Sequence, residues 1–189
     1  MVLEEVKQAV ANIPTFITDD DIECYFKYVN KFNYGWIIDL GTGWGKSMLA
    51  LALSNETNAV ISCDTGDYPI YQGWAKNVEK YEEKINKLIA DNELTGIVEF
   101  KLLTASKLVN SIDENLRVNL VHIDNWVEIN NTNSSSLLEK WVDVIIQGGY
   151  LLARNYGRSD REGWNESVDK ATQGLNKIET MGLITVFQK

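Results

Sequence analysis

One stretch limits what this chain can fold into more than any other: Trp36-Ile-Ile-Asp39-Leu-Gly41-Thr-Gly43-Trp-Gly45-Lys-Ser47. There an apolar strand signal runs through three alternating glycines into an apolar helix signal. Glycines let backbone N–H groups approach a ligand where a Cβ would collide, and the helix behind them offers unpaired N–H groups and partial positive charge to an anion. The pattern is that of a nucleotide-cofactor loop, and its spacing separates the classes. A P-loop, Gly-x-x-x-x-Gly-Lys-Ser, needs glycine at position 40, which is Leu40, so Gly41 stands one residue too close. The dinucleotide fingerprint Gly-x-Gly-x-x-Gly needs glycine where the chain has Lys46. What remains is Asp39-x-Gly41-x-Gly43-x-Gly45, an acid at a strand end followed by glycine at every second position.

That pattern resembles motif I of class I S-adenosylmethionine-dependent methyltransferases. In this class a second acid, at the end of the next strand, takes both ribose hydroxyls of the cofactor. Asn58-Ala-Val60-Ile-Ser-Cys-Asp64 supplies it: the segment is apolar and β-branched, and Asp64 lies nineteen residues after Gly45, enough for one helix between them. A dinucleotide-binding chain would use the same acid, so only the glycine spacing separates the two.

At 189 residues the chain is read as a single domain, with an N-terminal helical cap over 1–33 and a core over 34–189. A chain of this size buries roughly two-thirds of the surface it exposes when unfolded, enough for a sheet covered on both faces. Cys24 and Cys63 are the only cysteines and lack paired-ligand spacing, which points to a reduced, cytoplasmic setting rather than a disulfide or zinc site. No basic apolar leader is seen, nor an apolar run of the roughly twenty residues needed to cross a bilayer, so no membrane partner is expected. A net charge of −9, with no basic run, argues against nucleic acid as a partner.

Residues 2–33 read as helical, with Asp19-Asp-Asp21 charging the start of a segment whose apolar residues include Ile22, Tyr25, Phe26, Val29 and Phe32. Beyond them, strands at 36–40, 59–64, 97–103, 118–123 and 150–154 alternate with helices at 46–54, near 73–91 and near 136–146, the last opening on Ser136-x-x-Glu139. A helix around 163–180 carries Trp164, Val168, Ala171, Leu175 and Ile178, and one strand, 183–188, ends the chain. The alternation predicts an α/β, Rossmann-like fold: a central, mostly parallel sheet of six or seven strands with helices on both faces. The methyltransferase fold finishes with two strands, so the chain reads as one strand short. The run from Asn130 to Ser136 reads as a polar loop on the carboxyl side of a strand.

Later segments sharpen the resemblance. Phe100-Lys-Leu-Leu-Thr-Ala105-Ser106 ends the third strand, Val121-His-Ile-Asp124-Asn-Trp126 the fourth, and Gln147-Gly-Gly149-Tyr-Leu-Leu-Ala-Arg154-Asn155 makes the fifth. Over roughly residues 34–156 these segments resemble the catechol O-methyltransferase-like group and related small bacterial methyltransferases. The resemblance implies that Asp39, Gly41, Thr42 and Gly43 line the methionine side of S-adenosyl-L-methionine, and that Ser47 bonds its carboxylate. It implies further that Asp64 binds the ribose, that Ser106 contacts the adenine, and that Asn125 and Trp126 close over the ring beside Asp124.

Metal-dependent members of that group hold Mg²⁺ with an acid at the position of Asp124 and a neighbouring Asp-Asn pair after the fifth strand. Here that pair is Arg154-Asn155. A guanidinium removes a hard oxygen ligand and puts permanent positive charge where the cation would sit. The expectation is therefore no conventional Mg²⁺ site and an Arg154–Asp124 ion pair in its place. The group's catalytic lysine falls at Val127, which cannot accept a proton. Asp124, Arg154 and Asn155 remain as catalytic candidates, with Asp124 the better base and Glu128 the weaker one. His122, the sole histidine, shares a strand face with Asp124 and is expected to pack against a covering helix rather than act as a base. Trp44, Tyr68, Tyr71, Trp74, Trp126, Tyr156 and Trp164 fall in or beside loops on the cofactor edge, where some would wall an apolar acceptor site.

Two functions stay open: a methyltransferase of a small-molecule acceptor, O-directed by the resemblance, and a methyltransferase-like module that binds the cofactor without chemistry. Six tryptophans allow an apolar homodimer interface.

Overall fold

The computed structural model describes residues 1–67, 77–113, 115–124 and 134–189, and its strands form one seven-stranded sheet. The chain opens with α1 (Leu3–Val10) and α2 (Asp19–Val29). It continues through β1 (Gly35–Leu40), α3 (Lys46–Ser54), β2 (Asn58–Asp64), α4 (Val78–Asp91), β3 (Val98–Leu102), α5 (Ala105–Ser111) and β4 (Val118–Asp124). It closes with α6 (Ser134–Val144), β5 (Ile145–Arg154), α7 (Glu162–Ala171), β6 (Asn176–Met181) and β7 (Ile184–Gln188).

The strand order is β3-β2-β1-β4-β5-β7-β6, with β1 to β5 parallel and β7 antiparallel to both β5 and β6. From β1 the chain winds outward to β2 and β3, then returns to lay β4 on the other side of β1. The crevice at the carboxyl ends of β1 and β4 is thus the topological switch point, where ligands of open α/β sheets bind. The pleat divides the core in two. Ile37, Val60, Leu120 and Leu152 pack with residues of α1 to α4, while Ile38, Ile61, Val121 and Leu151 pack with residues of α5 to α7. Burial on both faces explains why β1 and β4 are nearly continuous apolar runs rather than alternating ones.

The structure changes several expectations. The cap is two helices rather than one segment over 2–33, because Pro14 lies between them and the residue before a proline is driven out of helical conformation. The second helix starts on a reciprocal cap, with Asp21 N–H donating to Thr18 Oγ1 at 3.2 Å and Thr18 N–H to Asp21 Oδ2 at 3.0 Å. The chain is not a strand short. Helix α7 stops at Ala171, Gly174 turns the backbone at φ 89°, and residues 176–181 form β6, which returns through Gly182-Leu183 into β7. The helical spacing of Leu175 and Ile178 misled, and Ile178 is 45% exposed.

Ala105 and Ser106, read as strand-end residues, open α5, a seven-residue helix too short to show a period. Helix α6 begins at Ser134, so Ser136 lies inside it rather than capping it. Positions 73–76 of the expected fourth helix and 130–133 of the expected polar loop lie outside the described residues. Among the described residues no helix is long and apolar enough to cross a membrane.

Candidate active site

The glycine loop sits at the switch point, strapped to its neighbours. Gly41, Gly43 and Gly45 have φ of 95°, 56° and 90°, left-handed conformations that side chains oppose. The N–H groups of Gly41 and Thr42 donate to Cys63 O at 3.0 and 3.2 Å, and Tyr81 on α4 donates its hydroxyl to Gly43 O at 2.7 Å. Asp64, half-buried at the end of β2, accepts from Gly43 N–H at 3.0 Å on Oδ2 and from Gly66 N–H at 2.9 Å on Oδ1. The acid expected for the ribose thus also orders the loop beside it.

Beneath the loop lies a closed polar chain. Asp39 and His122 are register partners on β1 and β4, both buried, with Nδ1 of the ring 2.7 Å from Asp39 Oδ1. A carboxylate only accepts, so Nδ1 carries the proton, and in the neutral ring Nε2 accepts from the Tyr25 hydroxyl on α2 at 3.0 Å. Asp39 Oδ2 accepts from Ser62 at 2.6 Å and Ser47 at 3.2 Å, and Ser62 in turn accepts from Thr42 at 2.6 Å. Asp39 is fully buried and Ser47 is 1% exposed, so the hydroxyl that the resemblance gives to a carboxylate ligand is turned inward here. His122 packs against α2 as expected of a lone strand histidine. Burial first, and the Asp21 carboxylate second, push the Tyr25 hydroxyl well above its ordinary range.

A second network ends β4 and β5, whose register sets Asp124 beside Arg154. Arg154 Nη1 donates to Asp124 Oδ2 at 2.7 Å, the ion pair expected from the sequence, and Asn155 Nδ2 donates to Asp124 Oδ1 at 3.1 Å. Arg154 also donates from Nε to Asp21 Oδ2 at 3.3 Å and from Nη2 to Phe16 O at 2.5 Å. Burial works against its charge, but Asp124 and Asp21 outweigh it and raise the guanidinium above its ordinary value. Asn155 holds a left-handed φ of 62°. Among the described residues no group of three or more His, Cys, Asp or Glu side chains is placed to hold a metal ion.

The remaining candidates are scattered. Ser106 lies half-buried in the first turn of α5, its hydroxyl 3.0 Å from that of Thr104. Trp164 is core rather than wall, donating from its ring nitrogen to Arg154 O at 3.0 Å, whereas Trp44 and Tyr156 are half-buried. Asn125, Trp126, Val127, Glu128, Tyr68, Tyr71 and Trp74 lie outside the described residues. Sequence reasoning missed Asp21, Tyr25 and Ser62, none of which carries a local signal.

No protein-family model matches the chain, and no curated protein matches it. Solved structures do. An O-methyltransferase from Bacillus cereus in complex with SAH superposes with a TM-score of 0.70 at 17% identity, over 99% of this chain and 90% of that one. A proposed caffeoyl-CoA O-methyltransferase from Staphylococcus aureus gives 0.67 at 14% identity, over 100% and 93%. A proposed rRNA methylase from Clostridium thermocellum gives 0.65 at 16% identity, over 89% and 94%. The chain therefore has the Rossmann-like fold that these methyltransferases share.

Proposed function

We propose that the chain is an S-adenosylmethionine-dependent methyltransferase acting on a small molecule at oxygen, as one cytoplasmic domain without a conventional Mg²⁺ site. The observation that carries this reading is the left-handed glycine loop laid against the half-exposed carboxylate of Asp64. The loop presents backbone with no Cβ in the way, and Asp64 sets an acceptor-only carboxylate beside it, fixed by the N–H groups of Gly43 and Gly66. Both features fit a cofactor with a ribose diol and a charged amino-acid end. Gly41, Thr42 and Gly43 would flank that end, Asp64 would hold the ribose, and Ser106, Asn125 and Trp126 the adenine.

Bound there, the cofactor supplies an electrophilic sulfonium methyl. The chain's own part is orientation and one proton transfer. Asp124 takes the acceptor's proton, and Arg154 and Asn155 fix the direction its carboxylate faces. Arg154 stands where metal-dependent members of the resembled group have a carboxylate ligand, and its guanidinium bonds Asp124, the physical reason for proposing metal-free chemistry. The formal charge of −9 favours a small acceptor over RNA, and two of the structural neighbours bear O-methyltransferase names.

A second reading, cofactor binding without turnover, draws support from the same network, since both oxygens of Asp124 already accept hydrogen bonds. Asp64→Ala is expected to weaken S-adenosylhomocysteine binding about tenfold or more, because two charge-assisted hydrogen bonds are lost. Unchanged affinity in a calorimetric titration would contradict the ribose assignment.

A further inference from the structure

The glycine loop is backed by α4. Tyr81, Ile85 and Leu88 stand at helical spacing on one face of that helix. An added Cβ at Gly45 would lie 2.6 Å from Leu88 Cδ2 and 3.5 Å from Ile85 Cδ1, and one at Gly66 would lie 2.6 Å from Tyr81 Cδ1. Gly45 is thus required by the close approach of α4 as well as by its φ of 90°. Tyr81 is buried, and its ring meets Phe100 edge-on with centroids 5.9 Å apart, so its direction is fixed by packing. From there its hydroxyl donates to Gly43 O at 2.7 Å, while Gly43 N–H donates to Asp64 Oδ2 at 3.0 Å. Gly43, left-handed at φ 56°, is therefore held by both of its polar groups, by α4 on one side and by the carboxylate that ends β2 on the other.

Resting on the methyltransferase reading above, we propose that Tyr81 is a positioning residue for the cofactor: through the Gly43 carbonyl, its hydroxyl holds the glycine loop in the binding shape before any ligand arrives. Glycine has more backbone conformations open to it than any other residue, so a loop with glycine at every second position spreads over several shapes unless anchored. Only the fraction in the binding shape takes ligand, and the apparent affinity falls by that fraction. Because both bonds converge on Gly43, loosening it also loosens Asp64. One hydroxyl on α4 thus keeps the methionine end and the ribose acid in a single arrangement.

The test compares wild type with Tyr81→Phe, which keeps the ring under Gly66 and against Phe100 and removes only the hydroxyl. Backbone amide NMR relaxation is measured on the ligand-free proteins, and S-adenosylhomocysteine binding is followed by calorimetry and by stopped-flow tryptophan fluorescence. Gly43 is expected to be ordered in wild type and mobile in Tyr81→Phe, with Ile38 and Val121 rigid in both. Affinity for S-adenosylhomocysteine is expected to fall about three- to tenfold, with the loss in the association rate and the dissociation rate about as before. A hydroxyl that served stability alone would lower the unfolding midpoint and leave both the order of Gly43 and the association rate unchanged. Gly43 equally ordered in the two proteins, unchanged affinity, or a loss carried by the dissociation rate alone would each overturn the assignment of Tyr81. Wild-type protein that binds no S-adenosylhomocysteine would instead overturn the methyltransferase reading, while the relaxation of Gly43 would still report on Tyr81.

Discussion

Taking away the guanidinium of Arg154 would remove a positive partner from two carboxylates, one of them, Asp21, with no exposed side-chain surface at all. Removing one partner of a buried charge network leaves the others desolvated and unpaired, at a cost of about 3–5 kcal/mol. Arg154→Met is therefore expected to destabilise the protein by about that amount in urea unfolding. Adding Asp21→Asn is expected to cost less than the sum of the two single changes. Strict additivity would show that Arg154 and Asp21 do not act as one unit. Half of this network was legible in the sequence. Asp124 and Arg154 end adjacent parallel strands, and such ends lie side by side once the strand order is known. Asp21 was not, because it lies 133 positions from Arg154 and looks like any acid in a first helical turn. Ser62 and Tyr25, which complete the Asp39–His122 chain, are likewise ordinary strand and helix residues until the fold brings them together.

Elements with long, unambiguous patterns matched the structure: β1, α3, β2 and β4 stand within a residue or two of their predicted bounds. The errors fell where the local pattern was short or served two periods. Helix α5 has only seven residues, and β6 is mostly exposed, so its few apolar positions fit a helix as well as a strand. What decides the chain's last segment is its glycines. At Gly182, φ is 57° and an added Cβ would stand 2.5 Å from Asp21 Oδ1 and 3.0 Å from Asp21 N, so the hairpin turn is wedged against the start of α2. At Gly174, φ is 89° and an added Cβ would meet nothing within 4 Å. Gly174→Ala is expected to cost about 1–2 kcal/mol from backbone strain alone. Gly182→Ala should cost clearly more, since Asp21 must also shift. Equal losses in urea unfolding would contradict the wedge.

Across the whole molecule, α2 fastens one half of the site to the other. Tyr25 reaches His122 and so the glycine loop, while Asp21 accepts from Leu183 N–H at 2.7 Å and from Arg154, joining the last hairpin to the end of β5. The cap is thus part of the scaffold that sets the carboxyl ends of β1, β4 and β5 around one crevice. The fold class and the position of that crevice followed from the strand–helix alternation and the glycine loop. The inward turn of Ser47 needed tertiary packing, because nothing within a few residues of it decides which way it faces.

On the proposed function, this crevice holds an S-adenosylmethionine-type cofactor without help from a metal. The measurement that decides this is a calorimetric titration of ligand-stripped protein with S-adenosylhomocysteine, with and without Mg²⁺. Saturable one-site binding of equal affinity in both conditions is the expected result. No binding at high micromolar ligand, or binding that appears only with Mg²⁺ and is lost in Asp124→Ala, would contradict it.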